Sequence, residues 1–199
     1  MIKLLRTILC VGIFMLGFLS TANAALETRL RGQAYYDTDL DITWTTNADI
    51  NGRHDWDDQI NWVSGLTIAG VSNWRLPSAD VNGDGFVVNC FGGGVAGCSD
   101  NEMGYLFWEE NITASAPGPF NNIQSYFYWS GTEFAPIPSV AWEFDFNDGS
   151  QFASRKFPDN FAWAVHDGDV GLIPEPEMYT MMSIGLLAMF SFGRLRKQS

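Results

Sequence analysis

The residue types that could do chemistry are few, and most stand in the wrong pattern. His54 and His166 are the only histidines, and neither has the His-x-x-x-His spacing by which one helix face grips a metal. Ser130 lies in Trp129-Ser130-Gly131, not in the Gly-x-Ser-x-Gly elbow that presents a nucleophile. Gly92-Gly93-Gly94 lacks the Gly-Lys-Ser/Thr that completes a phosphate loop. Asp and Glu number 23 against 11 Lys and Arg, so a pair of carboxylates anywhere says little about glycoside hydrolysis. No catalytic set emerges, and the chain reads as a binding or structural module, not an enzyme; the alternative is a secreted enzyme with an unrecognised carboxylate site.

Two patterns keep some chemical content. Asp80-Val81-Asn82-Gly83-Asp84-Gly85 places oxygen side chains at positions one, three and five and Gly at six, as a calcium loop begins. Position twelve is Phe91 in place of the bidentate Glu, so a complete EF-hand is excluded. A weak calcium turn at Asp80, Asn82 and Asp84 stands beside the plainer reading of Asx and Gly turns. The run Asp37-Thr38-Asp39-Leu40-Asp41 has the same two readings: a cation collector, or a solvated turn with Asx caps. Cys90 and Cys98 bracket a Gly-rich loop. In an oxidising compartment they form a disulfide, which stabilises the fold by roughly 2–3 kcal/mol through the loop entropy it removes.

These residues need elements to hold them. Ala34–Tyr36 and Ile42–Trp44 read as a hairpin around the acidic turn, with 25–33 as a lead-in. Trp56–Leu66 is the clearest helix. Trp56, Ile60 and Val63 share a face, Asp55 can cap it, Asp57 and Asp58 suit its positive end, and Gly65 stops it. Trp74-Arg75-Leu76-Pro77 reads as a short strand ending in a rigid bend. A second helix is expected over 100–110, capped by Ser99 or Asp100, with Met103, Leu106 and Phe107 inward. Later segments alternate as strands: Tyr126–Thr132, Ala141–Asn147, Ser150–Ala153 and Phe161–Val165. Trp142, Phe144 and Phe146 share one face, and Glu143 and Asp145 the other. Helices first and strands later argue an α+β domain with two helices and an antiparallel sheet.

Both ends of the chain read as addresses. Lys3 and Arg6 precede the uncharged apolar run Thr7–Ser20, and Ala22-Asn23-Ala24 has the small residues of a signal peptidase site. Residues 1–24 are therefore a signal peptide, and residues 25–173 are the exported domain. At the other end, Pro174-Glu175-Pro176 is held extended by its prolines. The 16 uncharged residues from Met178 to Gly193 follow. As a helix they span about 24 Å, a little short of a ~30 Å hydrocarbon core. Arg194, Arg196 and Lys197 then form a basic stop that stays cytoplasmic. The chain carries a net charge of −12. Shedding Lys3 and Arg6 leaves the body more acidic still, which argues against nucleic acid as a partner.

Two resemblances follow from these residues. Leu40–Trp44, the Trp56–Leu66 helix, Trp74-Arg75-Leu76-Pro77, Glu102–Phe107, Tyr128-Trp129-Ser130-Gly131-Thr132, Ala141–Phe144 and Ala162–Val165 together resemble, in order, the Lcl C-terminal domain family. That resemblance implies a single domain related to C-type-lectin-like and formylglycine-generating-enzyme-like folds. The family often carries Arg where this chain has His166. The cysteines of the formylglycine-generating relatives are not transferred to Cys90 and Cys98, which lie in a loop between other motifs. Residues 174–199 resemble the PEP-CTERM sorting signal. This implies processing by an exosortase-type enzyme, transient anchoring in the inner membrane facing the periplasm, and delivery to the surface of an exopolysaccharide-making bacterium. No cofactor is expected beyond the weak calcium turn.

Overall fold

The computed structural model describes residues 26–88, 90 and 95–171. It is an α+β body with two helices and two antiparallel sheets, where one sheet was expected. The first sheet has the order β1 (Leu26–Arg29), β2 (Ala34–Asp37), β3 (Ile42–Thr45), β7 (Val165–Asp167). The second has the order β4 (Phe127–Glu133), β5 (Val140–Asp145), β6 (Ser150–Arg155). The region read as a lead-in is an edge strand and a 3-10 turn, Leu30–Gly32. The last strand starts only at Val165. Before it, Phe161 makes main-chain bonds to Phe127 and Trp129 without forming a ladder. The Trp74–Pro77 stretch is likewise no full strand, and contributes one bridge, Arg75 to Val165.

Helix α1 (Trp56–Ser64) forms where its signals put it. Asp55 accepts the Asp58 N–H at 2.9 Å, and Asp57 and Asp58 occupy the first turn. Trp56 and Val63 are buried, while Ile60 is only half-buried. Helix α2 (Glu102–Trp108) is capped one residue later than expected, by Asn101, whose Oδ1 accepts the Gly104 N–H at 3.0 Å. Gly104 has no alternative here, because a Cβ on it would stand 2.7 Å from the Cys98 carbonyl oxygen. Met103 and Leu106 are buried as the periodicity required, and Phe107 packs at the edge of the same cluster.

Aromatic side chains fill the space between the sheets. Trp44, Tyr128, Phe144, Phe146 and Trp163 join Met103 and Leu106 in one cluster. Trp56, Trp74 and Trp129 join Val63 and Leu76 in the other. Trp163 stacks on Trp44 at 5.0 Å and meets Phe120 edge-on at 4.9 Å. Each such ring contributes about 2–3 kcal/mol from burial, provided its polar atom is satisfied. Here the indole N–H groups find carbonyls: Trp163 on Thr45 at 2.8 Å, Trp56 on Ser130 at 2.8 Å and Trp74 on Val71 at 3.0 Å.

Both faces of β5 are covered at its centre. Alternation put Glu143 on the face opposite Phe144, and the structure buries that face too, on the central strand of the second sheet. Ser154 Oγ donates to it at 2.5 Å and Asn160 Nδ2 at 2.6 Å. Asn160 in turn accepts from Gln59 of α1, so the second face of this sheet is covered by a polar network and not by water.

The signal peptide at residues 1–24, the sorting motif Pro174, Glu175 and Pro176, the expected membrane helix and the basic stop Arg194, Arg196 and Lys197 lie outside the described residues. Among the described residues no helix is long and apolar enough to cross a membrane.

Candidate functional site

One concavity is a half-open groove of about 530 Å³ between α1, the 74–81 segment, the start of α2 and β4. Its floor is apolar, with Ile60, Val63, Trp74 and Leu76. Its rim carries Ser78, Asp80, Thr132 and the Arg75–Glu102 pair. Local sequence explains its shape. The β4–β5 register slips between Trp129 and Glu133, and bulges of this kind turn backbone groups away from the ladder. The Gly131 N–H is thereby free to donate to the Pro77 carbonyl at 2.8 Å, and Thr132 Oγ1 accepts the Ala79 N–H at 2.9 Å. On the other side, Arg75 exchanges two 2.8 Å main-chain bonds with Val165. The Trp-Arg-Leu-Pro stretch is thus clamped between both sheets, although it belongs to neither.

Arg75 and Glu102 form a fork-to-fork pair. Nη1 donates to Oε2 at 2.8 Å and Nη2 to Oε1 at 2.7 Å, while Nε donates to Asp167 at 2.7 Å. Glu102 also accepts the Ser78 N–H at 2.7 Å, so its carboxylate is fully engaged. Burial pulls the guanidinium pKa down, but the bonds and charges of Glu102 and Asp167 outweigh it, and Arg75 is held above its usual value. The pair is a fixed charge pattern at the groove wall, with the Glu102 side chain 5% exposed and that of Arg75 33% exposed. It is poorly suited to proton transfer, because both partners are committed.

Asp80 stands on the rim in a different state. Its Oδ2 accepts the Gly85 N–H at 3.0 Å, while its Oδ1 is buried without a hydrogen-bond partner. The rest of the loop turns on itself as the Asx reading required. Asn82 Oδ1 accepts from Asp84 N at 2.8 Å, and Asp84 Oδ1 accepts from Phe86 N at 2.7 Å. Asp100 lies beneath the loop and accepts from Asn82 N at 3.3 Å and Val88 N at 3.4 Å. Among the described residues no group of three or more His, Cys, Asp or Glu is placed to hold a metal ion. The loop exposes Val81, Phe86 and Val88, with Phe86 78% exposed. Cys90 and Cys98 are joined as a disulfide with their Cα atoms 5.1 Å apart, within the usual range for such a bridge. Gln151 of β6 donates its N–H to the Cys90 carbonyl at 2.9 Å and ties this loop to the second sheet.

The remaining residues weighed for chemistry serve packing. Ser130 is buried and its Oγ accepts the Thr132 N–H at 3.2 Å. His54 pairs through its main chain with Asn160. The His166 ring lies edge-on to Trp74 at 5.7 Å, with Nδ1 buried and without a partner.

Three acids that the sequence did not mark as sites have raised pKa values, Asp145 chiefly through burial. Burial raises Glu143, against the bonds from Ser154 and Asn160. Burial pushes Glu110 up to about 8, helped by the charge of Asp37, a hydrogen bond with it, and the charge of Asp39. Only the clustered aspartates at 37, 39 and 41 signalled that region in the sequence, and nothing connected them to Glu110.

A comparison with protein-family models finds no match, and a comparison with curated proteins finds none either.

Proposed function

We propose that the chain is an exported envelope or extracellular-matrix protein whose folded body binds a glycan or another polyhydroxylated envelope component in the groove beside Arg75 and Glu102. The observation that carries this reading is the groove rim. Asp80, Ser78, Thr132 and the fixed Arg75–Glu102 pair surround an apolar floor. Sugars present this mixture of hydroxyl donors and apolar ring faces, and a few placed polar groups over an apolar floor suffice to orient such a ligand. Binding is preferred to catalysis because Glu102 is engaged by three donors and leaves no free acid–base pair in the groove.

The class follows from the two resemblances. The body is proposed as an Lcl C-terminal-like domain of C-type-lectin-like type, and residues 174–199 as a PEP-CTERM-like sorting signal. Signal peptidase, an exosortase-type enzyme and the inner membrane are its proposed processing partners, with exopolysaccharide as the surrounding matrix. A glycan array probed with the chain, with calcium and with chelator, tests the binding claim. Ile60→Trp, which fills the groove from a half-buried position, is expected to abolish any signal while leaving the melting transition in place. Binding that survives this substitution places the ligand elsewhere. Deleting residues 174–199 is expected to change retention or surface delivery, and an unchanged location removes the sorting claim. A melting temperature indifferent to calcium removes the metal from Asp80, Asn82 and Asp84.

A further inference from the structure

Glu110 follows the C-terminus of α2, where the chain reverses through Asn111 at φ 59°. Both of its carboxylate oxygens are buried, and neither has a donor among the ordinary N–H and O–H groups around it. The carboxylate of Asp37, at the end of β2, acts on it through both its charge and a hydrogen bond. Two carboxylates cannot bond each other unless one keeps its proton. Asp37 is the acceptor of the two. Its Oδ1 takes the N–H groups of Asp39 and Leu40 at 3.0 and 3.1 Å, and its Oδ2 faces the Trp44 indole N–H at 3.4 Å.

The other groups acting on this contact are of the same sign or neutral. Asp39 contributes a second negative charge from the hairpin turn, and the Tyr105 hydroxyl from α2 donates to Asp39 at 3.4 Å. The Tyr105 hydroxyl is itself raised, first by burial and then by Asp39, Asp37 and Glu110, and so stays protonated. The carbonyl end of α2 adds a further disadvantage for an anion at Glu110.

We propose that Glu110 keeps its carboxyl proton and donates it to Asp37, which fastens the exit of α2 to the β2–β3 hairpin and makes that junction sensitive to pH. The proton leaves Glu110 for solvent, and two facing carboxylates remain. The sign follows from linkage. The folded chain holds a proton that the unfolded chain releases near the ordinary Glu value, so stability falls as pH rises from that value to about 8.

The test is a carboxyl carbon NMR titration of the full chain in a neutral detergent, with Glu110 assigned by comparison with Glu110→Gln. A midpoint near 8 is expected, and a midpoint below about 5.5 overturns the proposal, because that lies in the ordinary carboxylate range. Thermal melts supply the second readout. Wild type is expected to lose midpoint temperature relative to Glu110→Gln between pH 5 and pH 9, since the amide keeps a donor for Asp37 and has no charge to gain. Parallel pH profiles for the two proteins overturn the proposal. Repeating the titration in about 5 mM calcium chloride, enough to load a weak extracellular site, is expected to leave the midpoint in place. A large acidward move means that a cation, not a proton, joins the pair.

Discussion

The two ends of α2 carry the same side chain in opposite circumstances. Glu102, in its first turn, meets the guanidinium of Arg75 and a main-chain N–H. Glu110, just past its last turn, meets the carboxylate of Asp37. The difference is one of partner sign, and it decides which form of each group the fold selects. At the first end a cation holds the helix against the 74–78 segment and shapes the groove. At the second, a retained proton does the corresponding work against the β2–β3 hairpin. A short helix of this kind has little stability of its own, so its position depends on these two attachments and on the burial of Met103 and Leu106.

The comparison breaks most severely at its first end. Replacing Arg75 with Met leaves the Glu102 carboxylate buried without its cation, and a loss of about 3 kcal/mol is expected in denaturant melts. The exposed side of Arg75 keeps this at the lower end of the range for buried pairs. Reducing the Cys90–Cys98 bridge, which closes a sequence separation of 8, is expected to cost about 2–3 kcal/mol in the same denaturant melts. Asn101→Ala removes the cap between these features and, with it, a buried bond to Gln151, for about 1–2 kcal/mol. At the second end the sign reverses: Glu110→Gln is expected to raise stability at pH 8 by about 1 kcal/mol, a modest gain because the side chain keeps some contact with water. The finest test is the double variant Arg75→Met with Glu110→Gln. If the ends act independently, its stability change equals the two single changes within about 0.5 kcal/mol. A larger departure means that the proton at one end is felt in the groove at the other.

Much of the local architecture could be read from the chain. Helix α1 was legible because its cap, its face and its stop are all written within eleven residues, Asp55 to Gly65. The β5–β6 hairpin was legible for the same reason, with Asp148 and Gly149 making its turn, and so was the pairing of Cys90 with Cys98. What escaped depends on distant partners. Leu26–Arg29 has no alternation to mark it, because it is a short edge strand that gains its place by pairing with β2. Nothing near Glu143 in the chain marked it as buried, because Asn160, which closes over it, lies 17 positions away. The motifs Trp74–Pro77 and Tyr128–Thr132 were visible separately, but their contact through Gly131 and Pro77 was not. The groove is therefore a product of tertiary structure, built at a register slip that no pattern in β4 announces.

The first sheet has a mechanical consequence. It begins with β1 and ends with β7, so the described body starts and finishes on opposite edges of one sheet, and Arg29 joins Asp169 across its end at 2.6 Å. β7 is held to β3 by three residue pairs, Ile42 with Asp167, Thr43 with His166 and Trp44 with Val165. Tension entering from the C-terminal side meets the Arg29–Asp169 pair first, then the Gly168 bonds to Asp41 and Thr43, and only then the three β7 pairs. The clamp between Arg75 and Val165 comes next along that path. A pull on the tail thus reaches the wall of the groove and the aromatic cluster together, at Val165.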